Sequence, residues 1–284
     1  MLNPEYPYYR DYIRGMKTGF TTLAGRCYVT FAQKGGHTYG LVILGSDLDN
    51  IYKEASELLD WAFASFADRQ LVDTETPLTT VPLTKCRSEE TVELYAAEPL
   101  SGYGHADDKV TCSFELPESV SATVKNGAVL GEATVYLDGY EVAYNINLDW
   151  GHKVYISHFY YDEANNLYLR YSGDAPYMTF AEAEDRSEEN QEQMSFSNVI
   201  IQRVGYEYTN NSKIMPVMQS VGKGNADIFI GGRYIPGYWV RESIESPTIF
   251  LDDKGNEIQL TPGKTFIAHF PPESLLTYSA SAAQ

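Results

Sequence analysis

The clearest helical period in the sequence runs from Asp49 to Ala67, and most of what surrounds it reads as short strands. Ile51, Ala55, Leu58, Leu59, Ala62, Phe63 and Phe66 recur at steps of three and four, which puts them on one face of a helix. Asp49 stands where a side-chain oxygen can cap the first turn. Ahead of the helix lie two strand-like runs, Arg26–Gln33 and Thr38–Leu44, with Gly35-Gly36 between them suited to a tight hairpin. Gly15–Thr21 forms a further extended segment before these. A piece of this size buries little surface alone, so residues 1–67 read as part of a larger α/β sheet.

Residues 68–148 show no helical period of useful length. Thr91–Ala96 and Val110–Leu116 alternate by two, and Gly131–Leu137 and Tyr140–Ile146 flank Asp138-Gly139, a strong two-residue hairpin signal. A small β-sandwich is the expected result. In residues 149–284, Val154–Tyr161 and Leu167–Tyr171 flank a polar turn, and Asn198–Val204 has the apolar content of a buried strand. After Gly222, dense glycines and prolines separate Asp227–Ile230, Tyr238–Arg241, Thr248–Leu251, Glu257–Leu260 and Thr265–Phe270, the pattern of a β-rich roll or barrel-like domain. The predicted fold class is therefore mainly β with some α, in three successive pieces.

Charge narrows the function. The 284 residues carry 21 basic and 39 acidic side chains, a net charge of −18, which argues against nucleic acid and anionic lipid as partners. The first piece is nearly neutral, with 6 basic and 7 acidic groups; the second carries 5 and 14, the third 10 and 18. The acidic run at 181–193 reads as a solvated loop or a short exposed helix. No apolar run reaches the roughly 18 residues of a membrane span, and no signal peptide opens the chain. No cofactor motif is found.

One tripeptide carries a mechanism, Lys17-Thr18-Gly19. Lysine can place a positive charge beside a nucleophile, threonine can offer a hydroxyl to a substrate carboxylate, and glycine lets a substrate backbone lie against the strand. The Asn-Pro before the strand, Gly15, Lys17-Thr18-Gly19, Thr21, Ala24-Gly25 and the helix Glu54–Phe63 resemble the low-molecular-weight penicillin-binding proteins, the serine D-alanyl-D-alanine carboxypeptidases of peptidoglycan trimming. Residues 70–148 look like the β-rich domain that follows the catalytic domain in that family. The resemblance implies a transpeptidase-like sheet fragment over 1–67, Lys17 as a catalytic-strand residue, and Thr18 and Gly19 as substrate-binding residues. The implied partner is a peptidoglycan stem peptide or a β-lactam.

The family's nucleophile lies in a Ser-x-x-Lys motif, supported by Ser-x-Asn. Here no Ser-x-Asn occurs, and Ser220-Val221-Gly222-Lys223 sits in a glycine-rich context where the required helical turn is not expected. The loop Ser46–Asp49 lacks the arginine that many members place after the strand. Residues 149–284 resemble instead the C-terminal domain of the YerB-like lipoproteins, through Gly222-Lys223-Gly224, Gly237, Trp239, Arg241, Pro247-Thr248, Gly255–Ile258 and Pro262-Gly263. Both resemblances imply an extracytoplasmic place in the envelope of a Gram-positive-type bacterium.

The remaining candidates have structural readings beside the functional one. The five histidines lack zinc-helix spacing, and His37 is expected to be exposed at its hairpin. Cys27 reads as a packed core thiol, while Cys86 and Cys112 fall in one β-piece where they could pair. Asp252–Glu257 reads as a hairpin turn, not a calcium loop. Trp239 and Arg241 share a strand face, either as a ligand platform or as the edge of a core, with the core favoured. Three functional readings stay open: a carboxypeptidase homologue without its nucleophile-bearing half, a non-catalytic envelope-binding module built from two acidic β-domains, and a fragment or join of two reading frames.

Overall fold

The computed structural model describes every residue except 87–89, 152–155, 182–183, 208–216 and 281–284. The chain divides into two compact units, one of Met1–Arg69 with Tyr103–Asp107 and one of Gln70–Gly102 with Asp108–Gln284. The fold is mainly β, and among the described residues the sheets stay open, none closing into a barrel.

In the first unit, β1 (Ile13–Thr21), β2 (Gly25–Lys34) and β3 (His37–Ser46) form an antiparallel sheet in that order. The β2–β3 hairpin turns at Gly35 and Gly36, whose φ angles of 60° and 88° lie in the region that glycine enters without steric cost. Helix α1 (Ile51–Ser65) covers one face of the sheet. Ile51, Ala55 and Leu59 pack there with Tyr12, Ile13, Tyr28 and Ala32. The helical period is thus realised, but Leu58 is 47% exposed and both ends differ from expectation, with Phe66 and Ala67 belonging to the strand Phe66–Val72. Asp47, not Asp49, supplies the turn: its Oδ1 accepts the amides of Asp49 and Asn50 at 2.9 and 2.8 Å.

The second unit holds an eight-stranded sheet. Its order is Thr265–Phe270, Asn198–Arg203, Gly222–Ile230, Arg233–Arg241, Tyr140–Val142, Glu132–Leu137 and Val110–Glu115, with Ile249–Asp252 also paired to Arg233–Arg241. Asn198–Arg203 and Thr265–Phe270 run parallel, Val199 opposite Phe266; the other pairs in this sheet are antiparallel. A six-stranded sheet places Asn145–Leu148 between Ser157–Asp162 and Leu276–Ser279. Glu141 pairs with Tyr234, so strands from both sides of Leu148 share one sheet.

Several local expectations change. Tyr140–Ile146 is not one strand: Ala143 donates to Gly232 and Tyr144 to Ser279, so the chain crosses there from one sheet to the other. Glu257–Leu260 makes a single bridge, Leu251 with Glu257, instead of a strand. The start of the predicted strand Val154–Tyr161 lies partly outside the described residues, and the observed strand is Ser157–Asp162. Within 181–193, a short 3-10 turn at Glu188–Asn190 leads into a strand, Gln191–Gln193.

Candidate functional site

Lys17, Thr18 and Gly19 lie on β1, which is an edge strand of its sheet. They pair with Val29, Tyr28 and Cys27 respectively. Side chains alternate across a strand, so Lys17 shares a face with Val29 and Phe31, while Thr18 leaves on the side of Tyr28 and α1. All three residues of the tripeptide are exposed. The Lys17 ammonium donates to the carbonyl of its neighbour Thr18. A Cβ on Gly19 would meet nothing closer than the Cys27 Cβ at 4.0 Å, so the edge stays open there. What the tripeptide offers together is a bare strand edge with a cation on one face and a hydroxyl on the other.

The start of β1 is held by α1. The Arg10 Nε donates to Asp60 Oδ1 and Oδ2 at 3.1 and 3.0 Å, and the Tyr12 hydroxyl donates to Oδ1 of the same carboxylate. The Arg10 bonds, with smaller help from Tyr12, hold the Asp60 carboxyl below its ordinary range. Burial, and then the Asp60 carboxylate, push the Tyr12 hydroxyl up. Sequence reasoning missed Asp60, which stands among the apolar positions of α1 with no motif to single it out. Gly15 lies under the Phe31 ring, which would have to move aside for an added Cβ, since that atom would come within 2.6 Å of it.

The face of the sheet opposite α1 is uncovered within this unit. Val29, Phe31, Val42 and Leu44 on it are 49–75% exposed. Cys27 belongs to this face and is half-buried, so the expected core thiol is not realised. His37 also departs from expectation. Its side chain is 13% exposed, 3.2 Å from Asp68 Oδ2 and packed on the Tyr103 ring at 4.5 Å.

The other singled-out residues are distributed through the second unit. Ser220 is in a loop and Lys223 on the strand Gly222–Ile230, so this Ser-x-x-Lys does not form a helical turn. Trp239 is 2% exposed and belongs to a buried cluster with Ile200, Val204, Ala226, Ile228 and Phe250. Arg241 donates to the Ser246 carbonyl at 2.9 Å, which ties down a loop. Cys86 and Cys112 are both half-buried, and burial pushes the Cys112 thiol up. Asp252 closes a turn through Oδ1, which accepts the amides of Lys254 and Asn256 at 2.9 and 2.8 Å. His152 lies outside the described residues. No group of three or more histidine, cysteine or acidic side chains is placed to hold a metal among the described residues.

Comparison with known proteins finds a separate match for each of two overlapping segments. Residues 66–164 match the family described as the penicillin-binding protein 5 C-terminal domain. Residues 146–267 match the C-terminal domain of a protein family of unknown function, DUF3048. A curated relative, the D-alanyl-D-alanine carboxypeptidase DacF of Bacillus subtilis (strain 168), is 25% identical over 131 residues, which span 45% of this chain and 33% of the relative. The chain therefore covers about a third of that relative's length. Among solved structures, the YerB protein of Bacillus subtilis is 17% identical with a TM-score of 0.38, covering 53% of this chain and 50% of that one. Penicillin-binding protein 5 from Haemophilus influenzae is 24% identical with a TM-score of 0.25, covering 46% and 39%. Residues 66–164 are thus similar to the penicillin-binding protein 5 C-terminal domain, and residues 146–267 to the DUF3048 C-terminal domain. Among the described residues, no helix is long and apolar enough to cross a membrane.

Proposed function

We propose that this chain works in peptidoglycan remodelling at the cell envelope, holding a stem-peptide tail or a β-lactam against β1 without completing acyl transfer by itself. The observation that carries the reading is the exposed edge strand bearing Lys17, Thr18 and Gly19. An extended peptide can add to such an edge through its backbone, and the Lys17 charge and Thr18 hydroxyl suit a terminal carboxylate. Acyl transfer needs a serine beside a base. The one Ser-x-x-Lys of the sequence begins in a loop and ends in a strand, which supports the inactive reading. Fluorescent penicillin offered to the 284-residue chain is expected to leave no covalent label after denaturing electrophoresis. A stable adduct overturns the proposal.

A second reading, a non-catalytic envelope-binding module, is favoured by a separate fact. The two matched segments run over 66–164 and 146–267, and Lys17 lies outside both. Retention on isolated peptidoglycan distinguishes the two. Loss of retention in Lys17→Ala supports the β1 edge, whereas unchanged retention assigns binding to the second unit.

A further inference from the structure

We infer that a cleft in the second unit binds the free carboxylate end of an extended peptide. The strands Asn198–Arg203 and Gly222–Ile230 pair only as far as Gln202 with Ala226. Beyond that point the first strand departs through Val204 and Gly205 towards Tyr206–Glu207, which pairs with Val217–Met218, and the Gln219 amide donates to the Gly205 carbonyl at 2.9 Å. Among the described residues, Gly222–Asn225 therefore keep a strand partner on one side only, namely Trp239–Arg241 and Tyr238. A cleft of about 650 Å³ opens where the two strands part, lined by Arg203, Gln219, Lys223, Asn225, Asp227 and Trp239 among others. That size suits a small ligand or a few residues of peptide.

The floor of the cleft is fixed. The Trp239 indole donates from Nε1 to the Arg203 carbonyl at 2.8 Å. A Cβ on Gly224 would stand 2.7 Å from that nitrogen and 2.8 Å from that carbonyl, so only glycine fits. Arg203 is equally constrained. Its Nε donates to Asp227 at 2.8 Å, its Nη1 to the Ser274 and Pro271 carbonyls at 2.7 and 3.2 Å, and its guanidinium lies over the Phe270 ring. The side chain is 16% exposed, and its Nη2 has no hydrogen-bond partner among the described residues. Lys223 is exposed and forms no ion pair among the described residues. Asp227 sets one negative charge against these two cations, and it also accepts the Tyr234 hydroxyl at 2.9 Å.

A held guanidinium with an open donor and an exposed ammonium on the adjacent strand suit an oxyanion. The half-paired backbone of Gly222–Asn225 suits an extended chain, which can add there as a strand. Only a peptide with a free carboxyl end uses both features. The cleft belongs to the unit without Lys17, so this inference stands apart from the proposed role of β1.

The test uses the full chain and its indole N–H resonances. Trp239 is assigned by elimination with Trp61→Phe and Trp150→Phe, both at more exposed positions. N-acetyl-trialanine with a free carboxylate is expected to shift the Trp239 signal saturably. The C-terminal amide of the same peptide is expected to bind about tenfold more weakly or worse, the loss of one charge-assisted contact. Lys223→Ala, at an exposed site, is expected to weaken the acid severalfold and leave the amide unchanged. No shift, equal binding of acid and amide, or inorganic phosphate binding as tightly as the peptide acid would each overturn the inference.

Discussion

The strand Asn198–Arg203 and strand β2 have similar apolar sequences and very different surroundings. In the second unit, Val199, Ile200 and Ile201 are all fully buried, because one cluster packs on Val199 and Ile201 and another on Ile200. In the first unit, Tyr28, Thr30 and Ala32 are buried beneath α1, while Val29 and Phe31 on the opposite face are about half exposed. The apolar content of a strand reports that a face can be buried, not that one is. Polar groups follow the same division. Asn198 is buried and fully partnered, bonding Thr261 and Thr265, whereas Lys17 and Thr18 meet solvent.

The largest expected effect comes from emptying the doubly covered sheet. Phe270 is fully buried and packs edge-on to Trp150 at 4.6 Å. Phe270→Ala should cost about 3–5 kcal/mol in urea unfolding, the range for a buried aromatic replaced by alanine. Phe31→Ala on the uncovered face should cost about 1 kcal/mol or less. Similar losses at the two sites would show that the face opposite α1 is covered in solution.

Gly232 gives the next effect. It has a φ of 72°, and an added Cβ would stand 2.5 Å from the Tyr144 ring and 2.7 Å from the Tyr161 ring. Gly232→Ala should lose about 1–3 kcal/mol through strain and overpacking. Gly36, with φ 88° and open space around it, should lose less on the same substitution, which isolates the packing part.

How much of this was readable from the chain depends on the range of the contacts. Helix α1, the turn at Asp138-Gly139 and the strand Thr265–Phe270 follow from local period and turn chemistry, and each is found, α1 ending earlier and starting later than its period suggests. The crossing at Ala143 and Tyr144 was not legible, because it depends on Gly232 and Ser279, both far away in sequence. Lys17-Thr18-Gly19 was legible as a strand tripeptide. Which face Lys17 occupies was not, since that is fixed by its register with Val29. Arg203 gave no signal at all: its partners come from Asp227, Pro271 and Ser274.

A pH series tests the anchoring of β1. The folded Asp60 carboxyl is held below its ordinary value near 3.8, chiefly by Arg10. A depressed carboxylate gives a stabilisation that is complete above the unfolded value and is lost as pH falls through the folded one. Asp60→Asn should therefore weaken hydrogen-exchange protection in β1 near neutral pH. The gap from the parent chain should close below about 3.8, as the parent's own carboxylate is protonated. The pair is partly exposed, with side chains 28% and 45% accessible, so the effect should be modest. A gap that persists unchanged into acid would assign the loss to packing around Tyr12 instead.

The smallest effect is the sharpest probe of the comparison. Leu44 is 75% exposed on the uncovered face, at the end of β3. Removing an apolar side chain already in water leaves no cavity and forfeits little burial, so Leu44→Ser should change stability by about 0.5 kcal/mol or less. Leu137 offers the counterpart, 2% exposed within the second unit's main cluster. Leu137→Ser removes buried carbon and introduces a hydroxyl needing a partner, so it should cost several times more. If Leu44→Ser instead destabilises the chain as strongly as Leu137→Ser, Leu44 has a packing partner in solution, and the contrast between a half-covered sheet and a doubly covered one fails.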